Sequence, residues 1–181
     1  MNAGAPELVV PVSKDDHAQG RADASVTLVE YGDYQCPACG MAYPEIKRIQ
    51  REFGNDLRFV FRNFPLREAH PLAHPAAEIA EACALLQRFW PMHDWLYENQ
   101  DAWTAYGADG LEAGLRELGI DEDSVTDGLR DHDIGARIRA DFMGGVRSGV
   151  NGTPCFFLNG HRMDGGTEVL ESVLARLVDG S

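Results

Sequence analysis

Apolar and polar positions change their period along this chain, and the changes mark its elements. Val26-Thr27-Leu28-Val29-Glu30-Tyr31, bounded by Gly32 and Asp33, is a short β-rich run that predicts a buried strand. A helix is predicted over 38–53, with Gly54 as its C-terminal cap. Leu57-Arg58-Phe59-Val60-Phe61-Arg62 alternates apolar and basic residues before Phe64-Pro65, and predicts a second strand. Over 74–149 helix formers dominate, with breaks predicted near Pro91, Gly107, Gly119 and Gly135. Ala77, Ala80, Ala84 and Leu85 form one stripe, Leu111, Leu115 and Leu118 another, and Val125 with Leu129 a third. Cys155–Leu158 and His161–Met163 then read as two strands around an Asn159-Gly160 hairpin turn. Thr167–Val178 is a closing amphipathic helix, with Val169, Leu170, Val173, Leu174 and Leu177 apolar.

The order β-α-β, helices, β-β-α describes a split α/β domain. Residues 1–24 are polar and irregular and read as a lead-in. Residues 25–66 and 150–181 form the α/β unit, and 67–149 a helical insertion. A length of 181 residues, 44% of them hydrophobic, suits one domain carrying an insertion over a real core. Sixteen Lys and Arg against 29 Asp and Glu leave a net charge of −13, the wrong sign for phosphate backbones and anionic membranes. No apolar run approaches the roughly 18–20 residues of a membrane span. Met1–Pro11 holds no Lys or Arg, and Pro11 interrupts its apolar run, so no export signal is visible. A cytoplasmic protein is the expectation, with a periplasmic or extracytoplasmic one as the alternative for a processed form.

The sharpest chemical signal is Cys36-Pro37-Ala38-Cys39, just after a strand and at the start of a predicted helix. Unpaired N–H groups and the positive end of the helix dipole stabilise a thiolate there. Pro37 suits the first turn, where its missing N–H costs nothing. The two-residue spacer keeps both sulfurs within bridging reach, so Cys39 can resolve a mixed disulfide formed at Cys36. Half of a zinc site is the alternative, but there is no second C-x-x-C, and Cys83 and Cys155 stand alone. The six histidines leave a metal site arithmetically open; His70 and His74 come near ligand spacing, yet each precedes a proline, as in a loop. Redox chemistry is the stronger reading of a C-x-x-C beside a β-α-β pattern, and no metal is expected.

The second signal is Gly152-Thr153-Pro154, directly before an apolar strand. A cis Thr153-Pro154 bond would turn the Thr153 backbone toward the cysteines and leave it free to pair with an extended substrate, although X–Pro bonds are mostly trans. Residues 26–39 and 149–160, with Phe61-Arg62-Asn63-Phe64-Pro65-Leu66, His74-Pro75-Ala76-Ala77 and Phe89-Trp90-Pro91-Met92-His93-Asp94 between them, resemble the DsbA-like thiol–disulfide oxidoreductases of the thioredoxin superfamily. That resemblance covers roughly 17–178. It implies a thioredoxin fold, a central mixed β-sheet flanked by helices, with an inserted α-helical domain. It implies Cys36 as nucleophile, Cys39 as resolving thiol, a cis Pro154, and substrate contacts at Pro37, Ala38, Thr153 and Pro154. Glu30 matches the family's buried acid, where a raised pKa would let it exchange a proton with Cys39; a solvent-facing strand end is the alternative.

Two departures qualify the resemblance. The most oxidising members carry His where Ala38 stands, so a less oxidising pair is expected, and Cys155 replaces a residue that is often Thr. Cys83 and Cys155 are expected to be free buried thiols, with a second disulfide as the alternative. Trp90, Trp95 and Trp103 are expected in the core of the helical block. Asp164-Gly165-Gly166 lacks the Lys of a phosphate loop and no dinucleotide fingerprint occurs, so no cofactor is expected. The expected activity is disulfide exchange with protein thiol and disulfide substrates, the direction set by a redox partner that the sequence does not identify. A glutathione-dependent transferase or isomerase, and a non-catalytic metal-binding or chaperone-like module, are the alternatives.

Overall fold

The computed structural model describes residues 6–179. Its centre is a five-stranded mixed sheet made of β1 (His17–Gln19), β2 (Val26–Gly32), β3 (Leu57–Asn63), β4 (Cys155–Leu158) and β5 (His161–Met163), in the order β1-β3-β2-β4-β5. Only β2 and β3 run parallel, joined by α1 (Pro37–Phe53) as a crossover helix; the other pairs are antiparallel. The central strand β2 is buried on both faces, as its near-continuous apolar run requires. Val26 and Leu28 face the main core with Ile46 and Ile49 of α1, whereas Val29 and Tyr31 face a smaller cluster with Val60, Phe64 and Phe157. Glu30, in phase with Leu28, points to the main-core side.

Between β3 and β4 lie α2 (Ala73–Leu85), α3 (Phe89–Glu98), α4 (Gln100–Tyr106), α5 (Ala108–Glu117), α6 (Glu122–Asp131) and α7 (Ile134–Arg147); α8 (Thr167–Asp179) closes the chain. Trp95 and Trp103 are core residues of this block, each with a partnered indole N–H: Trp95 donates to Glu117 at 2.7 Å and Trp103 to the Leu96 carbonyl at 2.7 Å. Trp90 is partly buried against the same core. Cys83 belongs to the main core and Cys155 to the smaller cluster, and all four cysteines are unbridged. Among the described residues no helix is long and apolar enough to cross a membrane.

The predicted strands and outer helices appear within a residue or two of their expected ends, and Gly54 caps α1 at φ 48°. The lead-in is not irregular throughout. β1 pairs with β3, and the segment before it is tied down by the buried Arg62, which binds Asp16 at 2.8 and 3.0 Å, the Val10 and Pro11 carbonyls, and the Tyr31 hydroxyl. A polar sequence hid this, because the anchoring partner is an arginine from another strand. The breaks expected near Pro91 and Gly135 fall about four and two residues before them. Those two residues sit in first turns, where a missing N–H or a weak helix former costs little, and the real interruptions fall at Gln87 (φ 59°) and at Asp133, which caps α7. Leu85 leaves its stripe and is 48% exposed, at the last turn of α2, with the end of its side chain over Gly128 of α6.

Gly145 and Gly128 test this packing with opposite signs. A methyl group at Gly145 would lie 2.8 Å from two ring carbons of the buried Phe64 and 3.0 Å from Tyr31. At Gly128 the nearest atom, 3.0 Å away, is the end of the half-exposed Leu85, which can swing aside. Gly145→Ala is therefore expected to lose about 1–3 kcal/mol in urea unfolding, while Gly128→Ala gains up to about 1 kcal/mol from helix propensity.

Candidate active site

The turn between β2 and α1 is built around Asp33, whose side chain is buried. One carboxylate oxygen accepts the N–H groups of Gln35 (2.8 Å) and Cys36 (3.1 Å). The other accepts Leu66 N–H (2.9 Å) and lies 2.8 Å from His70 Nδ1, which therefore carries the hydrogen. An Asp that takes N–H groups two and three residues ahead makes a local turn without help from the sheet. The turn delivers Cys36 to the N-cap of α1, in extended conformation, with Pro37 at the first helical position. Gln100 of α4 satisfies the outward carbonyls of this turn, donating to Tyr34 O at 2.8 Å and Cys36 O at 2.9 Å.

The two thiols sit in different environments. Cys36 keeps 6% of its surface exposed and Cys39 none. The hydrogen bond from the Cys39 thiol is the main reason the Cys36 pKa falls to about 5, aided by Thr153 and by backbone N–H groups at Ala38 and Cys39 against the cost of burial. Burial pushes the Cys39 thiol well above its ordinary range, and both its bond to Cys36 and the Glu30 charge push the same way. Glu30 is buried in β2, opposite Phe61 of β3 and Phe156 of β4. Desolvation, then the Cys36 charge, raise its pKa to about 8.

Thr153 approaches from the far side of the chain. The Thr153-Pro154 bond is cis, and the Thr153 carbonyl accepts a hydrogen bond from Cys36 Sγ at 3.4 Å. The Thr153 hydroxyl is buried and makes no hydrogen bond among the described residues. A cleft of about 460 Å³ runs along the first turn of α1 and the start of α4, lined by Pro37, Gly40, Met41, Tyr97, Gln100 and Asp101. A second, of about 280 Å³, runs along Gly152, Thr153, Pro154, Arg162 and Met163. Of the residues singled out in the sequence, Cys36, Cys39, Thr153 and Pro154 meet at one place, with Glu30 in the core behind them. Ala38 contributes a backbone N–H rather than a side chain. The parts played by Asp33, His70 and Gln100 are not read from the sequence. In the sequence Asp33 reads as the end of a strand and His70 as a loop histidine, and an Asp three residues before the first cysteine is the one hint of the turn. Among the described residues no three His, Cys, Asp or Glu side chains gather as a metal site.

Comparison with known proteins gives the family. A family model described as Thioredoxin matches residues 12–175. A protein of Salinispora arenicola named Na(+)/H(+) antiporter NhaA 1 is 42% identical over 166 residues, covering 91% of this chain and 25% of that protein. This chain thus spans about a quarter of the length of the curated relatives it matches. Among solved structures, the thiol-disulfide exchange protein α-DsbA2 of Wolbachia pipientis superposes with TM-score 0.76 at 21% identity, covering 90% of this chain and 87% of that one. A periplasmic thioredoxin-like protein of Salmonella enterica gives 0.70 at 20%, covering 91% and 90%. The fold is that of the DsbA-type proteins. The cytoplasmic expectation does not stand, because the relatives are named Na(+)/H(+) antiporters and this fold is shared with a periplasmic protein. It rested on the first few residues of a chain that matches part of longer proteins, and such residues carry no information about export.

Titration of the reduced protein by ultraviolet thiolate absorbance is expected to show one acidic midpoint at about 5, absent in Cys36→Ser and moved upward in Cys39→Ala. Stability of the reduced form carries a second signature. Cys36 is deprotonated in the folded state above about 5 and protonated when unfolded up to its ordinary 9.0, so it adds stability as pH rises through that window. Glu30 holds a proton up to about 8 when folded and loses it near 4.5 when unfolded, so its contribution falls over the same range. The two slopes oppose between 5 and 8. Glu30→Gln is expected to leave the first unmasked, with stability rising at up to about 1.4 kcal/mol per pH unit in urea melts across that range.

Proposed function

This chain belongs to the thioredoxin family, and on that premise we propose that it is a thiol–disulfide oxidoreductase exchanging disulfides with protein substrates through Cys36 and Cys39. The observation that carries the reading is the asymmetry of the pair: a Cys36 that keeps a small exposed edge, with its pKa at about 5, beside a Cys39 that keeps none and is held far above neutrality. The thiolate is the reactive species in exchange, so Cys36 attacks and is attacked, while Cys39 reacts only from within.

In the oxidising direction a substrate thiolate attacks Cys36 Sγ and the Cys36–Cys39 bond breaks. Cys39 leaves as a thiolate and takes a proton from the Glu30 carboxyl, whose pKa near 8 lets it give or take one near neutral pH. The substrate's second thiolate then attacks the substrate sulfur of the mixed disulfide, and Cys36 leaves as the stabilised thiolate. In the reducing direction each step runs backward. Pro37, Ala38, Thr153 and Pro154 border Cys36, and an extended substrate segment lies along them. The Thr153 hydroxyl, otherwise unspent, supports the Cys36 thiolate. Residues 25–66 and 150–181 form the working unit and 67–149 an insertion that closes over one of its faces. With Ala38 in place of His the thiolate lacks one side-chain donor, so the pair is less oxidising than one with His there.

Insulin reduction by Cys36→Ser and Cys39→Ser tests this reading. Dithiol exchange predicts loss of turnover in both variants, with Cys39→Ser trapped as a mixed disulfide. Activity that survives in Cys36→Ser overturns the reading, and full activity of Cys39→Ser with glutathione supports the monothiol alternative instead.

A further inference from the structure

Tyr97 on α3 has a hydroxyl that the fold leaves unspent. The residue is 6% exposed, and its hydroxyl makes no hydrogen bond among the described residues, a desolvation cost that Phe would avoid. The ring is packed against Tyr34, Tyr43 and His93, with centroids 5.1, 5.4 and 5.2 Å away, so a partner has to come to the hydroxyl rather than the reverse. It rests over β2, where a Cβ at Gly32 would lie 3.0 Å from it. Gly32 and Glu30 share a face of that strand, since side chains alternate along it, and this is the main-core face that Cys39 also lines.

The titratable groups around the Tyr97 hydroxyl are Glu30, Asp33 and Tyr34 from β2 and the turn after it, Cys39 and Tyr43 from α1, and His93 from its own helix. Most are engaged. Asp33 accepts from the turn, from Leu66 and from His70; Tyr34 pairs with His93 at 3.0 Å; Tyr43 donates to Glu98 at 3.0 Å. Burial and the charges of Cys39 and Glu30 raise the Tyr97 phenol well above its ordinary value, so it stays a donor throughout. Glu30, two residues along the same face of β2 and with no hydrogen bond among the described residues, is the acceptor that can turn toward that donor once it is charged.

We propose that Tyr97 is a positioning residue for the resolving step, its O–H steadying the Glu30 carboxylate that takes the Cys39 proton. The inference rests on the exchange reading above. With Cys36 bound to a substrate sulfur, the Cys39 S–H bond breaks and its proton passes to the Glu30 carboxylate. The Cys39 thiolate forms the bond to Cys36 Sγ, the bond from Cys36 to the substrate breaks, and the substrate sulfur departs as a thiolate. Tyr97 gains and loses no proton in this sequence; it holds the acceptor in place and favours its charged form.

Dithiobis(nitrobenzoate) separates the two steps, since the reduced protein releases one coloured thiolate when Cys36 attacks and a second when Cys39 resolves. Tyr97→Phe keeps the ring and is expected to fold at least as stably as the parent, with the first release unchanged and the second slowed about tenfold, the scale of one hydrogen bond to a charged group. The pH midpoint of the second release should move up, because the Glu30 carboxylate loses a donor. Tyr97→Phe added to Glu30→Gln should slow resolution no further than Glu30→Gln alone, as expected of groups acting as a unit. A second release at the parent rate, an equal slowing of both steps, or additive effects in the double variant would each overturn the proposal. If the first release instead survives Cys36→Ser, the exchange reading itself fails, independently of Tyr97.

Discussion

The active-site turn depends on one buried carboxylate. Asp33 is 1% exposed and gathers hydrogens from Gln35, Cys36, Leu66 and His70, so a single side chain joins the end of β2, the N-cap of α1 and the segment that leaves β3. A buried carboxylate is tolerable only when its oxygens are filled, and four donors fill them. In return the donors are fixed. Cys36 could occupy an N-cap by chance of sequence, but its sulfur meets the Thr153 carbonyl because Asp33 sets where the helix begins.

From that anchoring follows the electrostatic division between the two thiols. One helical turn separates a residue at the helix mouth from one facing the core, and the difference in dielectric acts in opposite directions on them. At the mouth, hydrogen bonds to sulfur outweigh desolvation and the thiolate is favoured; one turn further in, desolvation and the neighbouring charges push the same way and the thiol is favoured. Glu30 adds to this division. Its own charge is expensive where it sits, and while charged it also discourages the Cys39 thiolate. The pair can therefore hold one negative charge at the helix mouth cheaply and a second in the core only with a proton acceptor at hand, which is the condition a stepwise exchange needs.

Much of this was legible in the sequence because it is local. The strand before the cysteines, the Pro at the first helical position, the Gly54 cap and the Asn159-Gly160 hairpin are all decided by neighbours in the chain. What escaped is non-local. The pairing of β1 depends on Arg62 reaching across to Asp16, 46 residues away, and no period within the lead-in announces it. Asp33, His70 and Gln100 were overlooked for the same reason, since each matters through a partner on another element. The misplaced breaks have another cause: Pro91 and Gly135 are poor inside helices but harmless in first turns, and the residue alone does not say which it occupies.

The helical block, seen from the cysteines, is more than a cover. Gln100 reaches from α4 to carbonyls on either side of the turn, and its amide occupies the space that a side chain at position 40 would need, so Gly40 and Gln100 are a matched pair. His93 of α3 meets the Tyr34 hydroxyl and is held neutral, its pKa driven well down by burial and by the nearby Lys47 and His17. An uncharged imidazole accepts that hydroxyl without adding a positive charge to the buried aromatic cluster of Tyr34, Tyr43 and Tyr97. A cation there would favour the buried thiolate and erase the difference between the sulfurs. The block thus supplies donors to the carbonyls at the rim and keeps positive charge out of the core behind it, two contributions that together preserve the separation of roles between Cys36 and Cys39.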